Sequence, residues 1–111
     1  MSREERERLH DILEAIDAIR GHAAVADEAP PELARDAILY RLLVIGEAVK
    51  ALPNELRTQR PEVNWRGIAG LCDLLTHEYF RIERERIDEI VEQHLDALEQ
   101  AVGEILLQLD R

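Results

Sequence analysis

One cysteine, Cys72, is present among 111 residues. A single thiol cannot form an intramolecular disulfide, so a disulfide-stapled secreted scaffold is excluded, and so is a cysteine-cluster metal site. Aromatic residues make up only 4%, which leaves Leu, Ile, Val and Ala to build the core. Sheet proteins draw more heavily on Val, Thr, Tyr and Phe. No segment alternates with the period of a strand, none repeats, and none is of low complexity. The longest apolar run is far too short to span a membrane. The first residues, Ser2-Arg3-Glu4-Glu5-Arg6-Glu7-Arg8, do not form a signal peptide. A cytoplasmic location is the expectation. Positive charge is scarce too: 14 Lys and Arg against 24 Asp and Glu, a net charge of −10. An acidic surface repels phosphate backbones at long range, which argues against general nucleic-acid binding by the monomer. It leaves room for a local basic pocket or for a basic partner protein.

What is present is helix. Hydrophobic residues are 46% and charged residues 34%, the balance of one globular domain over residues 1–111. Ser2 and Glu5 stand at capping-box spacing. Leu9, Ile12, Leu13, Ile16, Ile19 and Ala23 then recur three and four residues apart, an amphipathic helix with one buried stripe. Asp27-Glu28-Ala29-Pro30-Pro31 breaks it, and Pro31 is placed to start the next helix. Ala37, Ile38, Leu42, Val44, Ile45, Ala48, Val49 and Leu52 form the widest apolar face of the chain, so this second helix is expected at the centre. Pro53 ends it. Asn54 to Arg60 add a short turn, and Asn64 is placed to cap a third helix. Trp65 packs at that helix's entrance, Ile68, Leu71, Leu75 and Tyr79 continue the inward face, and Gly67 and Gly70 thin one side. A last helix runs from about Glu83 to Leu109. The reading is all-α, an antiparallel bundle of four to five helices.

Chemistry-bearing residues crowd into Leu71-Cys72-Asp73-Leu74-Leu75-Thr76-His77-Glu78-Tyr79-Phe80. Asp73 and His77 are four apart and share a helical face. An acid there accepts a hydrogen bond from one imidazole nitrogen, fixes the tautomer, and frees the other nitrogen for proton transfer near neutral pH. The same spacing also serves ordinary surface pairs. No second histidine stands near enough, and no HExxH pattern occurs, to make a metal site. No cofactor fingerprint is present either. Cys72 continues the apolar spacing of Ile68 and Leu75 and points away from His77 on a regular helix, so it reads as a small hydrophobe. Glu47, set among apolar neighbours, admits two readings: a surface acid at the edge of the stripe, or a carboxylate facing the site or a partner chain.

Asp73-Leu74-Leu75-Thr76-His77-Glu78-Tyr79-Phe80 resembles the signature of the HepT-type toxins of the HEPN superfamily. Val44-Ile45-Gly46-Glu47-Ala48 resembles that family's second-helix segment. Pro61, Trp65, Gly70 and Leu71 resemble the approach to the signature, and Tyr79-Phe80-Arg81-Ile82 the exit. The resemblance covers nearly the whole chain. It implies a helical bundle forming a symmetric dimer, with the two motif helices lining a shared cleft, and a metal-independent RNA endonuclease. In that family the signature is Arg, four residues, His, one residue, Tyr. By resemblance His77 transfers protons at the ribose 2′-hydroxyl or the leaving oxygen. Asp73 supports the site, and Glu47, Thr76 and Arg81 line the cleft. The implied partner is an MntA-like nucleotidyltransferase antitoxin, as in a type VII-like pair, which would add AMP to Tyr79 and so block the cleft with charge and bulk.

One position departs from the signature. Where the family carries the arginine that holds the scissile phosphate, this chain has Cys72. Cysteine offers no cation and no fork of donors, and losing such a clamp is expected to cost orders of magnitude in rate. Arg66, Arg81 and Arg41 are candidates to supply the missing charge, but none stands at the motif spacing. Two functions therefore stay open: a ribonuclease toxin weakened or inactivated at Cys72, and a non-catalytic helical dimer that binds a protein or nucleotide.

Overall fold

The structure is a computed structural model describing the backbone of residues 3–28, 30–78 and 84–109, and the side-chain surroundings of most of these. Within them the chain forms five α-helices: α1 (Arg3–Ala24), α2 (Pro31–Ala51), α3 (Asn54–Thr58), α4 (Trp65–Glu78) and α5 (Arg84–Leu109). No strand occurs among the described residues. A short 3-10 turn, Ala26–Glu28, separates α1 from α2. The all-α bundle expected from the periodicity is the architecture found.

The prolines act as the sequence predicts. Pro31 occupies the first helical turn of α2, where its missing N–H is no loss. At the other end Leu52 is forced out of the helical region, to φ −70° and ψ 140°, by the proline that follows it. Leu52 is nonetheless 2% exposed, so the chain turns the corner while keeping its side chain in the core. Pro53 then precedes the five residues of α3. The candidate cap Ser2 lies outside the described residues.

α2 is the central element, packed on α1 along one side and on α4 along the other, while α1 also packs on α5. One contiguous aliphatic core joins them. α1 contributes Leu9, Ile12, Ala15, Ile16 and Ile19, all fully buried. α2 contributes Ile38, Leu42, Ile45, Ala48 and Val49, and α5 contributes Leu95, Leu98, Ala101, Val102 and Ile105. Four members of the expected faces of α1 and α2 shift outward: Ala23, on the last turn of α1, is exposed, and Leu13, Ala37 and Val44 are only half-buried. The α1 stripe ends with Ile19, and Ala23 and Ala24 in its last turn are exposed.

Ion pairs fix how the helices sit on one another. Arg20 of α1 reaches α5, donating to Glu99 at 2.6 Å and also to Asp96. These carboxylates, Glu99 foremost, raise the Arg20 pKa further above its ordinary range. Arg60, after α3, pairs with Glu104 of α5 at 2.8 Å. Such pairs at the surface add little stability singly, but they select one registration of helices whose aliphatic faces would tolerate several.

Candidate functional site on the fourth helix

α4 carries the signature stretch, and its first turn is built with care. The Asn64 side-chain oxygen accepts a hydrogen bond from the Gly67 amide at 3.0 Å, the N-cap expected from the sequence. A Cβ at Gly67 would collide with the Asn64 side chain. Glycine here leaves room for this rotamer of the capping side chain. Trp65 is 6% exposed and donates from Nε1 to the Arg60 carbonyl at 3.0 Å, so the indole locks the start of α4 to the preceding loop. Ile68 is buried and Leu71 is half-buried against the core. These contacts hold the inner face of α4 against α2 and leave Arg66, Gly70, Asp73 and Leu74 exposed.

The residue that organises the outer side of this contact comes from α2. Lys50 donates to Asp73 and, at 3.5 Å, to Glu47. Glu47 and Asp73 are two of the site residues that the sequence singled out, and the lysine bridges them across the α2–α4 seam. The Glu47 side chain is 64% exposed, which fits both readings of this residue, and it shares its cation with the motif helix. The Lys50 ammonium is held above its ordinary pKa of 10.5, chiefly by the hydrogen bond to Asp73 and then by the charges of Asp73 and Glu47. It remains a full cation throughout the neutral range.

Lys50 was not singled out by the sequence reading, though a signal was there. It is the only lysine in a chain that otherwise uses arginine for positive charge, and it stands one helical turn after Glu47.

Positions 72, 76 and 77 fall within α4, but the side chains of Cys72, Thr76 and His77 lie outside the described surroundings, and Tyr79 and Arg81 lie outside the described residues altogether. Of the arginines considered as substitutes for the missing one, Arg41 sits on α2 with its guanidinium 5.7 Å from the Tyr40 ring centre, and Arg66 is exposed on α4. Among the described residues no polar or charged residue is buried, and no three His, Cys, Asp or Glu side chains gather as a metal site would require. No helix among them is long and apolar enough to cross a membrane.

An all-helical bundle with a capped, tryptophan-anchored fourth helix bearing an Asp, three residues, His register defines a class that the comparisons with known proteins identify. The model of the family described as ribonuclease HepT-like matches residues 9–105, which is nearly the whole chain and includes all of α2 and α4. The chain belongs to this HepT-like ribonuclease family. It is 45% identical over 76 residues to a protein of Caldanaerobacter subterraneus subsp. tengcongensis named as a candidate RNase, TTE0752, covering 68% of this chain and 67% of that one. It is 31% identical over 101 residues to a candidate ribonuclease HepT of Thermococcus cleftensis, covering 88% and 92%. It is also 29% identical over 106 residues to a Methanocaldococcus jannaschii protein named for gamma-glutamylcyclotransferase and candidate RNase functions. There the match covers 93% of this chain but only 48% of the longer relative. No solved structure matches the chain.

Proposed function

We propose that this chain is the toxin component of a type VII-like toxin–antitoxin pair, a metal-independent RNA endonuclease by descent. The observation that carries the reading is the family match through residues 9–105, with His77 and Tyr79 standing in the family's register. In this reading the protein works as a symmetric dimer whose two α4 helices face a shared cleft. His77 takes or returns a proton at the ribose 2′-hydroxyl or the leaving oxygen. Asp73 sets the electrostatics beside it, and its ion pair with Lys50 supports that role by anchoring the carboxylate to α2. Glu47, Thr76 and Arg81 line the cleft. An MntA-like nucleotidyltransferase neutralises the toxin by adding AMP to Tyr79, which places negative charge where RNA must lie.

Cys72 limits the rate. A thiol at the clamp position stabilises no charge on the phosphate, and removing one preorganised donor of this kind typically costs about a hundredfold to a thousandfold. The test is restoration. Purified Cys72→Arg protein should cut RNA and arrest growth when expressed, and adding His77→Ala should abolish both effects. A Cys72→Arg protein that folds, binds its antitoxin and leaves RNA intact would remove the enzyme reading for this chain.

The same cysteine favours a second reading, a non-catalytic helical dimer that uses the cleft to hold a protein or nucleotide. The net charge of −10 points the same way. An inert Cys72→Arg variant with intact partner binding is the outcome this reading requires.

A further inference from the structure

A cavity of about 530 Å³ opens between α3 and the start of α4, within the roughly 300–1,000 Å³ span of ligand clefts. Its wall includes Arg57, Arg66, Asn54, Thr58 and Asn64, and no carboxylate lines it. That is unexpected in a chain with 24 acidic residues against 14 basic ones. Three arginines elsewhere are matched by acids: Arg20 by Asp96 and Glu99, Arg60 by Glu104, Arg3 by Glu7. Among the described residues Arg57 and Arg66 have no such partner. Arg57 is half-buried, with its Nε enclosed and without a hydrogen-bond partner. A guanidinium N–H shut away from water without an acceptor is unfavourable, so packing holds this side chain in place with donor capacity unused. Trp65, the one indole in the wall, is 6% exposed and cannot stack on a base. The wall therefore presents positive charge and hydrogen-bonding groups, not ring faces.

Its place on α4 connects it to the signature. Arg66, Gly70 and Asp73 are spaced four and three residues apart, fall on one helical face, and are all exposed. Eleven residues make three turns, so position 77 returns to the line of position 66 at a distance of roughly 16 Å along the axis. Between them, a Cβ at Gly70 would meet nothing within 4 Å. An extended strand lying along this face at the signature would reach the cavity within a few nucleotides.

We propose that the Arg57–Arg66 cavity is a phosphate subsite for single-stranded RNA, holding a backbone phosphate a few nucleotides from the scissile bond. The proposal rests on the ribonuclease reading above. It gives the acidic chain a way to hold RNA that does not depend on position 72: paired guanidinium groups, flanked by amide and hydroxyl side chains, on an otherwise repellent surface.

The test measures binding of a fluorescein-labelled short single-stranded RNA, methylated at its 2′-oxygens so that it cannot be cut, to the full natural chain across a salt series. Each lost phosphate contact on a single strand flattens the plot of log K against log salt by about 0.7. Arg66→Gln should weaken binding and flatten the slope, the Arg57→Gln/Arg66→Gln pair should flatten it by that full amount because the one phosphate contact is then gone, and Arg66→Lys should keep the slope. Arg66 is exposed, so its variants report without endangering the fold. Arg3→Gln, which removes the same charge from the far end of α1, should leave the slope unchanged. Binding by the natural chain with no change of slope in the Arg57 and Arg66 variants overturns the subsite and leaves the ribonuclease reading standing. An equal loss in Arg3→Gln also overturns it, because bulk charge then explains the effect. No binding by the natural chain at low salt overturns both.

Discussion

Lys50 of α2 donates to Asp73 of α4, so the only lysine in the chain is spent on tying the central helix to the helix that bears the signature. The same ammonium reaches back one turn to Glu47. Two carboxylates chosen from the sequence as site residues thus share one cation. The seam between α2 and α4 is apolar inside, with Ile45, Ala48 and Ile68 in the core, and ionic at its rim.

The pH dependence of that rim follows from the direction of the Lys50 shift. Its pKa in the folded protein lies above the ordinary 10.5, because Asp73 and Glu47 stabilise the charged form. A raised lysine pKa means the folded state holds the proton more tightly than the unfolded chain. The pair therefore contributes in full below the unfolded value, and the contribution is lost as pH rises through the folded value. Lys50→Met should have a lower urea midpoint than the natural chain from neutral pH upward, and the gap should close only beyond pH 10.5. High salt should narrow it at neutral pH, since the pair is exposed to screening. A gap that is unaffected by either treatment would mean the lysine acts by packing its stem and not by its charge.

Under the proposed ribonuclease reading, position 72 sets the rate. Single-turnover cleavage of a defined RNA should be about a hundredfold to a thousandfold faster in Cys72→Arg than in the natural chain. Cys72→Lys should recover part of this, because an ammonium supplies charge without the planar fork. Equal rates for Arg, Lys and Cys at this position would show that the phosphate is held elsewhere.

Tyr79 is the expected site of nucleotide addition. Incubation with the cognate nucleotidyltransferase and ATP should add AMP-sized increments to the intact mass, and Tyr79→Phe should abolish them. If modification blocks the cleft through charge, the modified protein should lose RNA binding most severely at low salt, where repulsion is least screened. An unmodified mass after incubation would mean the antitoxin acts by occupancy alone.

The helices were legible because aliphatic spacing is a redundant signal. Leu9, Ile12, Ile16 and Ile19 repeat one message, and the prolines at 30, 31 and 53 punctuate it, so a single outlier such as Ala23 does no harm. The signature was legible as a residue string. The seam was not, because the Lys50–Asp73 contact spans 23 residues and depends on how two helices are rotated, which periodicity along one helix does not encode. The Arg57–Arg66 cavity was hidden for the same reason. Its residues come from a short helix, a loop and the start of α4, and what marks it is the absence of a carboxylate from its wall. Asn64 lay between these extremes: its role as a cap was readable, while the dependence of that role on Gly67 required the geometry.

That dependence makes a sharp thermodynamic prediction. Asn64→Ala removes the acceptor for the Gly67 amide and should cost about 1 kcal/mol of stability, the usual worth of an N-cap. Gly67→Ala alone brings two opposed effects. Alanine favours the helix over glycine by about 1 kcal/mol, but its methyl group collides with the capping side chain and displaces the cap, so the two should nearly cancel. With Asn64→Ala already in place there is no longer an amide to collide with, and Gly67→Ala should then stabilise by close to the full propensity difference, about 1 kcal/mol. The double mutant should therefore regain much of what Asn64→Ala lost. Chemical denaturation of the four proteins gives the coupling directly. Additivity within about 0.3 kcal/mol would show that Gly67 is there for some reason other than making room for its cap.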